Sequence, residues 1–374
     1  MTRQKIMFGG EIKKTKVFFL AAMLLLTGCS TRLTAQDVLG SIFVLEQPSP
    51  ATQTPTVTAI QTLLPTATPV PTATIPATAT PSQPKTYDTQ RQRITALMEG
   101  YGFVEDYYLS DTYWDQLVAR IEAFGAAEKI SALEFHGNNY SMYDGFYSMN
   151  PEAFYGQMET MMANQYHFVT IHELQGFLEG WLDLPKRSII LTTDSGAGSK
   201  ESFNSIIGQF SELEIKFGYR PHMQSYIWTA GMKEEENLNC RDNACWKLFV
   251  DTKETGFFTF GTHSQSHVSM GNYGAQFIRE DLITSRQKIL ENTGLNVYGL
   301  TWPHESCSQE SGALKEIGIN FAFGGHSKSG LDLFVYKTDG MVNCLPRIFP
   351  PNPSGYSSRP VGFTLVEILK SQEN

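Results

Sequence analysis

Between residues 132 and 323 the chain alternates short apolar runs with longer stretches of helical spacing, and this alternation restricts the fold more than any other feature of the sequence. The apolar runs occupy residues 132–135, 168–170, 188–192, 222–228, 256–262, 297–302 and 320–323. Helical stretches fall between them at 151–164, 171–179, 200–210, 276–292 and 310–316, and two more precede them at 91–101 and 113–127. The second of those leading helices is read from Trp114, Leu117, Ile121 and Phe124, which recur at the spacing of one helix face. Seven short strands separated by helices predict a single α/β domain, and a barrel in preference to an open sheet. With 41% hydrophobic and 12% aromatic residues, the chain has enough material for a real core.

The N-terminal part reads differently. Lys13, Lys14 and Lys16 precede an apolar stretch at 17–26, which has the length of a signal-peptide core and is too short to span a bilayer. Leu26-Thr27-Gly28-Cys29 follows and resembles a bacterial lipobox, which implies cleavage before Cys29 and acylation of its thiol. Two or three acyl chains there would hold the protein stably on a membrane, its expected partner being the lipid bilayer. From Pro48 to about Pro84 the sequence is mostly Thr, Pro, Ala and Val without a charged residue. Such a segment cannot bury enough apolar surface to offset its ordering entropy, and its prolines favour extended backbone. It reads as a stalk reaching on the order of 100 Å. The expected organisation is a lipoprotein signal peptide at 1–28, a disordered stalk at 29–86, a helical lead-in at 87–129 and a catalytic-type domain at 130–374, outside the cytoplasm on a bacterial cell membrane.

Charge narrows the partners. Residues 1–46 carry six Lys/Arg against Glu11, Asp37 and Glu46, so the net −9 of the chain leaves −12 on everything beyond residue 46. An acidic body argues against nucleic acid, whose phosphates require clustered Lys and Arg. Setting Cys29 aside as the lipid site leaves Cys240, Cys245, Cys307 and Cys344, an even number suited to disulfides in an oxidising compartment. Three pairings are open. Cys240 and Cys245 could also be half of a zinc site, but no second close pair follows them.

Two motifs carry the chemistry. Asp194 closes the apolar run that contains Ile189, Ile190 and Leu191, and His263-Ser264-Gln265-Ser266-His267 closes another. Reactive groups of an α/β barrel sit at the C-terminal ends of strands, where the loops of one face converge. His136 and Trp302-Pro303-His304-Glu305 fall at equivalent positions. An aspartate with two histidines four apart suits a metal-assisted hydrolase, although Asp194 alone could merely cap the helix that follows. Asp194-Ser195-Gly196 superficially suggests a serine nucleophile, yet Gly-x-Ser-x-Gly is absent. Tyr140, Tyr143, Phe146 and Tyr147, in the loop after the first strand, could stack on sugar rings or pack on the rim.

Taken in order, Glu134-Phe135-His136, the stretch 147–154, Asn164 to Leu174, Leu184-Pro185-Lys186-Arg187, the Asp194 strand and Leu345-Pro346-Arg347-Ile348 resemble the polysaccharide deacetylase family, carbohydrate esterase family 4 with its NodB-homology domain. The resemblance runs from about residue 130 to about residue 368. It implies a distorted (β/α) barrel of the polysaccharide deacetylase type, here with a short helical N-terminal extension. It also implies a polysaccharide substrate and metal-assisted hydrolysis of a carbon–nitrogen bond in an acetamide.

In that family the first motif reads Thr-Phe-Asp-Asp-Gly: the first aspartate is the general base, and the second joins two histidines in holding a divalent metal, usually zinc. The resemblance therefore makes Asp194 the base, and it makes His263 and His267 metal ligands. Ser195 stands where the metal aspartate belongs. Arg347 is the arginine that orients the catalytic carboxylate. His136, Trp302, Pro303 and His304 line the substrate cleft.

Ser195 removes the anionic ligand, and a neutral hydroxyl is a poor zinc ligand beside a carboxylate, so metal binding should be weak or lost. Glu305 could supply the missing anion by its position. His304 and Glu305 replace an aromatic and a glycine of the family pattern, and no terminal histidine motif follows His326, which leaves His326 or His304 as general acid. Two functions are consistent with this. One is a metal-assisted deacetylase of a cell-surface or extracellular polysaccharide. The other is a catalytically impaired deacetylase-like barrel that binds glycan at the cell surface.

Overall fold

The computed structural model describes residues 87–135, 151–194, 200–232, 246–308, 310–324, 334–337, 342–348 and 365–373. They fall within one compact unit, Ala79–Asn374. Each predicted strand forms: β1 Lys129–Phe135, β2 His167–Phe168, β3 Ser188–Asp194, β4 Met223–Ile227, β5 Phe258–Thr262, β6 Gly299–Thr301 and β7 Phe321–Phe323. Two short strands add to them, β8 Val335–Tyr336 and β9 Val342–Leu345. The sheet runs β8-β1-β3-β4-β5-β6-β7-β9, with β2 also paired to β3, and its ladders are parallel apart from β1 with β8.

The sheet nearly closes on itself. Just past β9, Ile348 bridges in parallel to Leu133, its N–H donating to the Ala132 carbonyl at 2.8 Å while its own carbonyl accepts from Glu134 N–H at 2.9 Å. The chain is thus a mixed α/β fold on a barrel-like sheet of parallel strands, as the alternation of elements predicted. Strands β1 to β7 are buried almost throughout (six of seven residues in β1, six of seven in β3), as expected of parallel strands covered on both faces.

Helices α1 Asp88–Tyr101, α2 Asp106–Leu109, α3 Asp111–Phe124, α4 Pro151–Ala163, α5 Ile171–Leu178, α6 Lys200–Phe217, α7 Trp246–Lys253, α8 Ala275–Thr293, α9 Ser311–Glu316 and α10 Leu365–Glu373 surround the sheet. The helix predicted at 113–127 stops at Phe124 because Gly125 turns the backbone to φ 85°, after which Ala126 pairs with Pro185. Among the described residues, no helix is long and apolar enough to cross a membrane.

The lead-in helices α1 to α3 share one apolar cluster with the barrel strands, through Ile94, Met98, Tyr101, Trp114 and Leu117. They also meet a buried polar network at the N-terminal ends of the strands. Glu173 is its centre: its carboxylate accepts Thr170 N–H at 2.9 Å, lies 3.0 Å from His167 Nε2 and accepts the Tyr113 hydroxyl. Beside it, Tyr108 Oη contacts His222 Nδ1 at 2.8 Å, and Tyr298 Oη contacts His172 Nδ1 at 2.6 Å.

Burial opposes the charge of Glu173, but His167 and the surrounding donors outweigh it and bring the carboxyl pKa down to about 2. Burial pushes His172 and His222 down to about 3 each. For these two histidines the unfolded chain binds protons first, so stability falls as the pH drops from the ordinary histidine value near 6.5 toward 3. The Glu173 contribution is present above its unfolded value of 4.5 and is lost toward 2, in the same direction. The melting temperature is therefore expected to decline progressively below about pH 6.5. His222→Gln should flatten the upper part of that decline in a calorimetric pH series, and a flat profile in the wild type would contradict the account.

Candidate active site

The reactive candidates gather at the opposite end, where the strands finish. Asp194 is the last residue of β3, Trp228 and His263 follow β4 and β5, and Thr301 ends β6. The parallel register places these ends side by side, with Ile227 paired to Thr262 and Thr262 to Leu300. Closure of the sheet brings in Arg347, which lies between β9 and the Ile348 bridge.

Arg347 is 1% exposed and grips Asp194 in fork geometry, Nη1 to Oδ1 at 2.8 Å and Nη2 to Oδ2 at 3.0 Å. Its Nη2 also reaches Glu134 Oε1 at 3.0 Å, and its Nε donates to the Gly324 carbonyl at 3.1 Å. Burial alone would lower the guanidinium pKa; the two carboxylates, Asp194 foremost, reverse this and raise it.

Asp194 Oδ2 lies 3.9 Å from His263 Nε2. The other ring nitrogen of His263, Nδ1, lies 3.0 Å from the Thr301 carbonyl and 2.6 Å from its hydroxyl. A carbonyl can only accept, so Nδ1 carries the proton and Nε2 presents a lone pair toward Asp194. Burial brings the His263 pKa down to about 4, which keeps this neutral form at physiological pH. Two acceptors thus face each other, and a group with hydrogens to donate, such as a water or a sugar hydroxyl, complements them.

The loop after β5 is held by its own hydroxyls and by α8. Thr262 Oγ1 accepts Ser264 N–H at 3.1 Å, Ser264 Oγ accepts His267 N–H at 3.0 Å, and the buried Asp281 accepts from Gln265 and Ser266 N–H at 2.8 and 2.9 Å. Ser264, His267, His304 and Glu305 all adopt left-handed backbone, with φ between 54° and 69°. Strained positions of this kind concentrate where a fold aims side chains at a site.

The imidazoles of His263, His267 and His304 form a chain from buried to exposed, with ring centroids 4.8 and 4.7 Å apart. His304 Nε2 donates to the His267 carbonyl at 3.0 Å, and the Trp228 ring lies 4.8 Å from that of His267.

The structure does not gather every residue the sequence suggested. Trp302 and Pro303 are buried: the Trp302 indole packs with Met270, Leu300 and Leu314 and donates to the Asn343 carbonyl at 2.6 Å. Their expected substrate contact is therefore corrected to a role in the core, and of that motif His304 is the residue exposed at the mouth. His136, Ser195, His326 and Cys29 lie outside the described residues, as do the aromatics at 140–147 and the pair Cys240 and Cys245. Cys307 and Cys344 are disulfide-bonded, with Cα atoms 5.7 Å apart, which fixes the loop carrying His304 to β9. Gly324 lies against both sulfurs with no room for a Cβ, so the disulfide backs the carbonyl that holds Arg347.

Sequence reading missed Glu134, Thr301, Asp281 and Trp228 as parts of the site. The acid inside the otherwise apolar run at 132–135 was the one legible signal among them.

A metal centre can be tested against these donors. His263 and His267 are adjacent, but among the described residues no group of three or more His, Cys, Asp or Glu side chains is arranged to hold an ion. Asp194 is committed to Arg347, and Glu305 is not gathered with both histidines, which overturns its expected role as replacement anion. Two imidazoles do not reproduce a carboxylate-bearing shell. The described residues do not fit the metal that the family resemblance implies, and no chemistry below is routed through one.

No curated protein sequence matches the chain. Residues 182–322 match the polysaccharide deacetylase family. Among solved structures, the fold is similar to BC0361, a polysaccharide deacetylase from Bacillus cereus, with 14% identity, a TM-score of 0.52, and 66% of this chain and 70% of that chain covered. It is also similar to the putative polysaccharide deacetylase BA0330 from Bacillus anthracis (14% identity, TM-score 0.51, 66% and 69% covered). A third similar structure is the Streptococcus pyogenes deacetylase PplD in complex with acetate (13% identity, TM-score 0.51, 66% and 100% covered). At these identities the structural likeness is one of fold. Over residues 182–322 the chain is thus similar to the polysaccharide deacetylase family, on a barrel-like α/β sheet.

Proposed function

We propose that this protein hydrolyses acetyl groups from a polysaccharide, with Asp194 as general base. One observation carries the reading: the Asp194 carboxylate, held by a buried arginine at the end of β3, faces the lone pair of a neutral histidine at 3.9 Å. A water bound to these acceptors would give its proton to Asp194 as its oxygen bonds to the acetyl carbon. The amine, or the hydroxyl of an ester, takes up a proton as its bond to that carbon breaks, and acetate leaves. His304, exposed beside His267, is our candidate donor for that second proton. The similar PplD structure holds acetate, the product such a reaction would release. The test is acetate release from acetylated chitooligosaccharides and peptidoglycan by the wild type, set against Asp194→Asn.

A second reading, glycan binding without turnover, is favoured by the donor set, which lacks a carboxylate placed to hold a metal among the described residues. Under it, Asp194→Asn would bind oligosaccharide as well as the wild type, and neither would release acetate.

The Leu26-Thr27-Gly28-Cys29 tetrad and the Thr/Pro-rich stretch after it support a lipid-anchored position outside the cytoplasm. Cys29→Ser should then move the protein from the membrane to the soluble fraction, and an unchanged distribution would contradict the anchor.

A further inference from the structure

Glu134 is the acid that the mechanism above leaves unused. It sits in β1 among Ala132, Leu133 and Phe135, only 2% exposed, where a carboxylate in water would otherwise be solvated. Strand pairing fixes it at both ends of the seam: its N–H donates to the Ile348 carbonyl, and its register partner in β3 is Thr192, two residues before Asp194. Its Oε1 lies 3.0 Å from Arg347 Nη2, the same nitrogen that donates to Asp194 Oδ2 at 3.0 Å.

One guanidinium faces two carboxyl groups in the closed wall of the barrel. Burial raises the Glu134 pKa well above the carboxylate range, Arg347 opposes this, and Asp194 and Glu305 add to it. Those are the charged groups facing it, with the buried Tyr226 of β4 near Arg347 and Asp194.

We propose that Glu134 is a positioning residue: its buried carboxyl, 3.0 Å from Arg347 Nη2, fixes the guanidinium that in turn holds Asp194 with Oδ2 toward His263. The proposal rests on the reading of Asp194 as the base.

Two variants separate this role from simple packing. Glu134→Gln keeps an acceptor for Arg347, whereas Glu134→Leu keeps the volume and leaves Arg347 and Asp194 as a charge-balanced pair. Full-length protein with isotope-labelled arginine, the Arg347 signal being assigned by its loss in Arg347→Lys, reports hydrogen exchange at Arg347 Nε–H without any substrate. Slow exchange is expected in the wild type and in Glu134→Gln, and fast exchange in Glu134→Leu. In acetate release, Glu134→Leu should lose about a hundredfold in kcat with little change in KM, while Glu134→Gln retains most of the rate. The proposal is overturned if Glu134→Leu leaves both exchange and kcat unchanged, or if a folded Glu134→Gln behaves like Glu134→Leu. If the wild type releases no acetate, the hydrolase reading fails, and the exchange experiment still decides whether Glu134 fixes Arg347.

Discussion

Arg347→Met is expected to cost about 3–5 kcal/mol of stability, because it removes the buried cation that Asp194 and Glu134 both face. For a domain of this size the melting temperature should fall by roughly 10 °C. The penalty comes from the carboxylate left behind rather than from the worth of the ion pair itself. The double variant Arg347→Met with Asp194→Leu should therefore recover much of the loss, since it removes the carboxylate that the fork had paired, and burial raises the pKa of the remaining Glu134 toward its neutral form. Arg347→Lys should recover less, because an ammonium cannot make the fork to both Asp194 oxygens and also reach Glu134 and the Gly324 carbonyl. Thermal melts of the four proteins check this. A double variant less stable than Arg347→Met would contradict the account of a single charged pair.

The second large effect concerns the metal. Ser195→Asp should raise affinity for a divalent cation such as zinc by orders of magnitude, since it restores an anionic ligand next to Asp194 in sequence, at the position the family resemblance gives to the metal carboxylate. Titration calorimetry with zinc on the wild type and the variant measures it directly. Equal affinities would mean that the histidine pair is not placed to share an ion with that position. Activity gained by the variant from an inert wild type would favour the glycan-binding reading, in which the catalytic centre has been dismantled.

The alternation of apolar runs and helices was enough to locate β1 to β7, because strands buried on both faces read as continuous apolar segments. Strands β8 and β9, of two and four residues, were not legible: they follow β7 without an intervening helical stretch in the sequence, so the alternation that marked the other strands does not reach them. The site divided along a similar line. Asp194, His263, His267 and Arg347 stand in recognisable local motifs, and the structure brings Asp194, His263 and Arg347 within ion-pairing distances.

What the sequence could not show was the pairing across the seam. Glu134 and Arg347 are more than two hundred positions apart, and only closure of the sheet at Ile348 makes them neighbours. Trp302 misled for the opposite reason. Its place in a familiar motif suggested contact with substrate, while the local packing of α8, α9 and β6 buries its ring. The strained loop from Ser264 to His267 also depends on a distant acid, Asp281, which a sequence reader takes for an ordinary helix residue.

The most direct test of the central claim is the rate of acetate release from an acetylated oligosaccharide by the purified wild-type protein and by Asp194→Asn. The account predicts turnover by the wild type and a loss on the order of 10²–10⁴-fold in the variant, with oligosaccharide binding retained. Equal rates in the two proteins, or binding without any acetate release by the wild type, would contradict it.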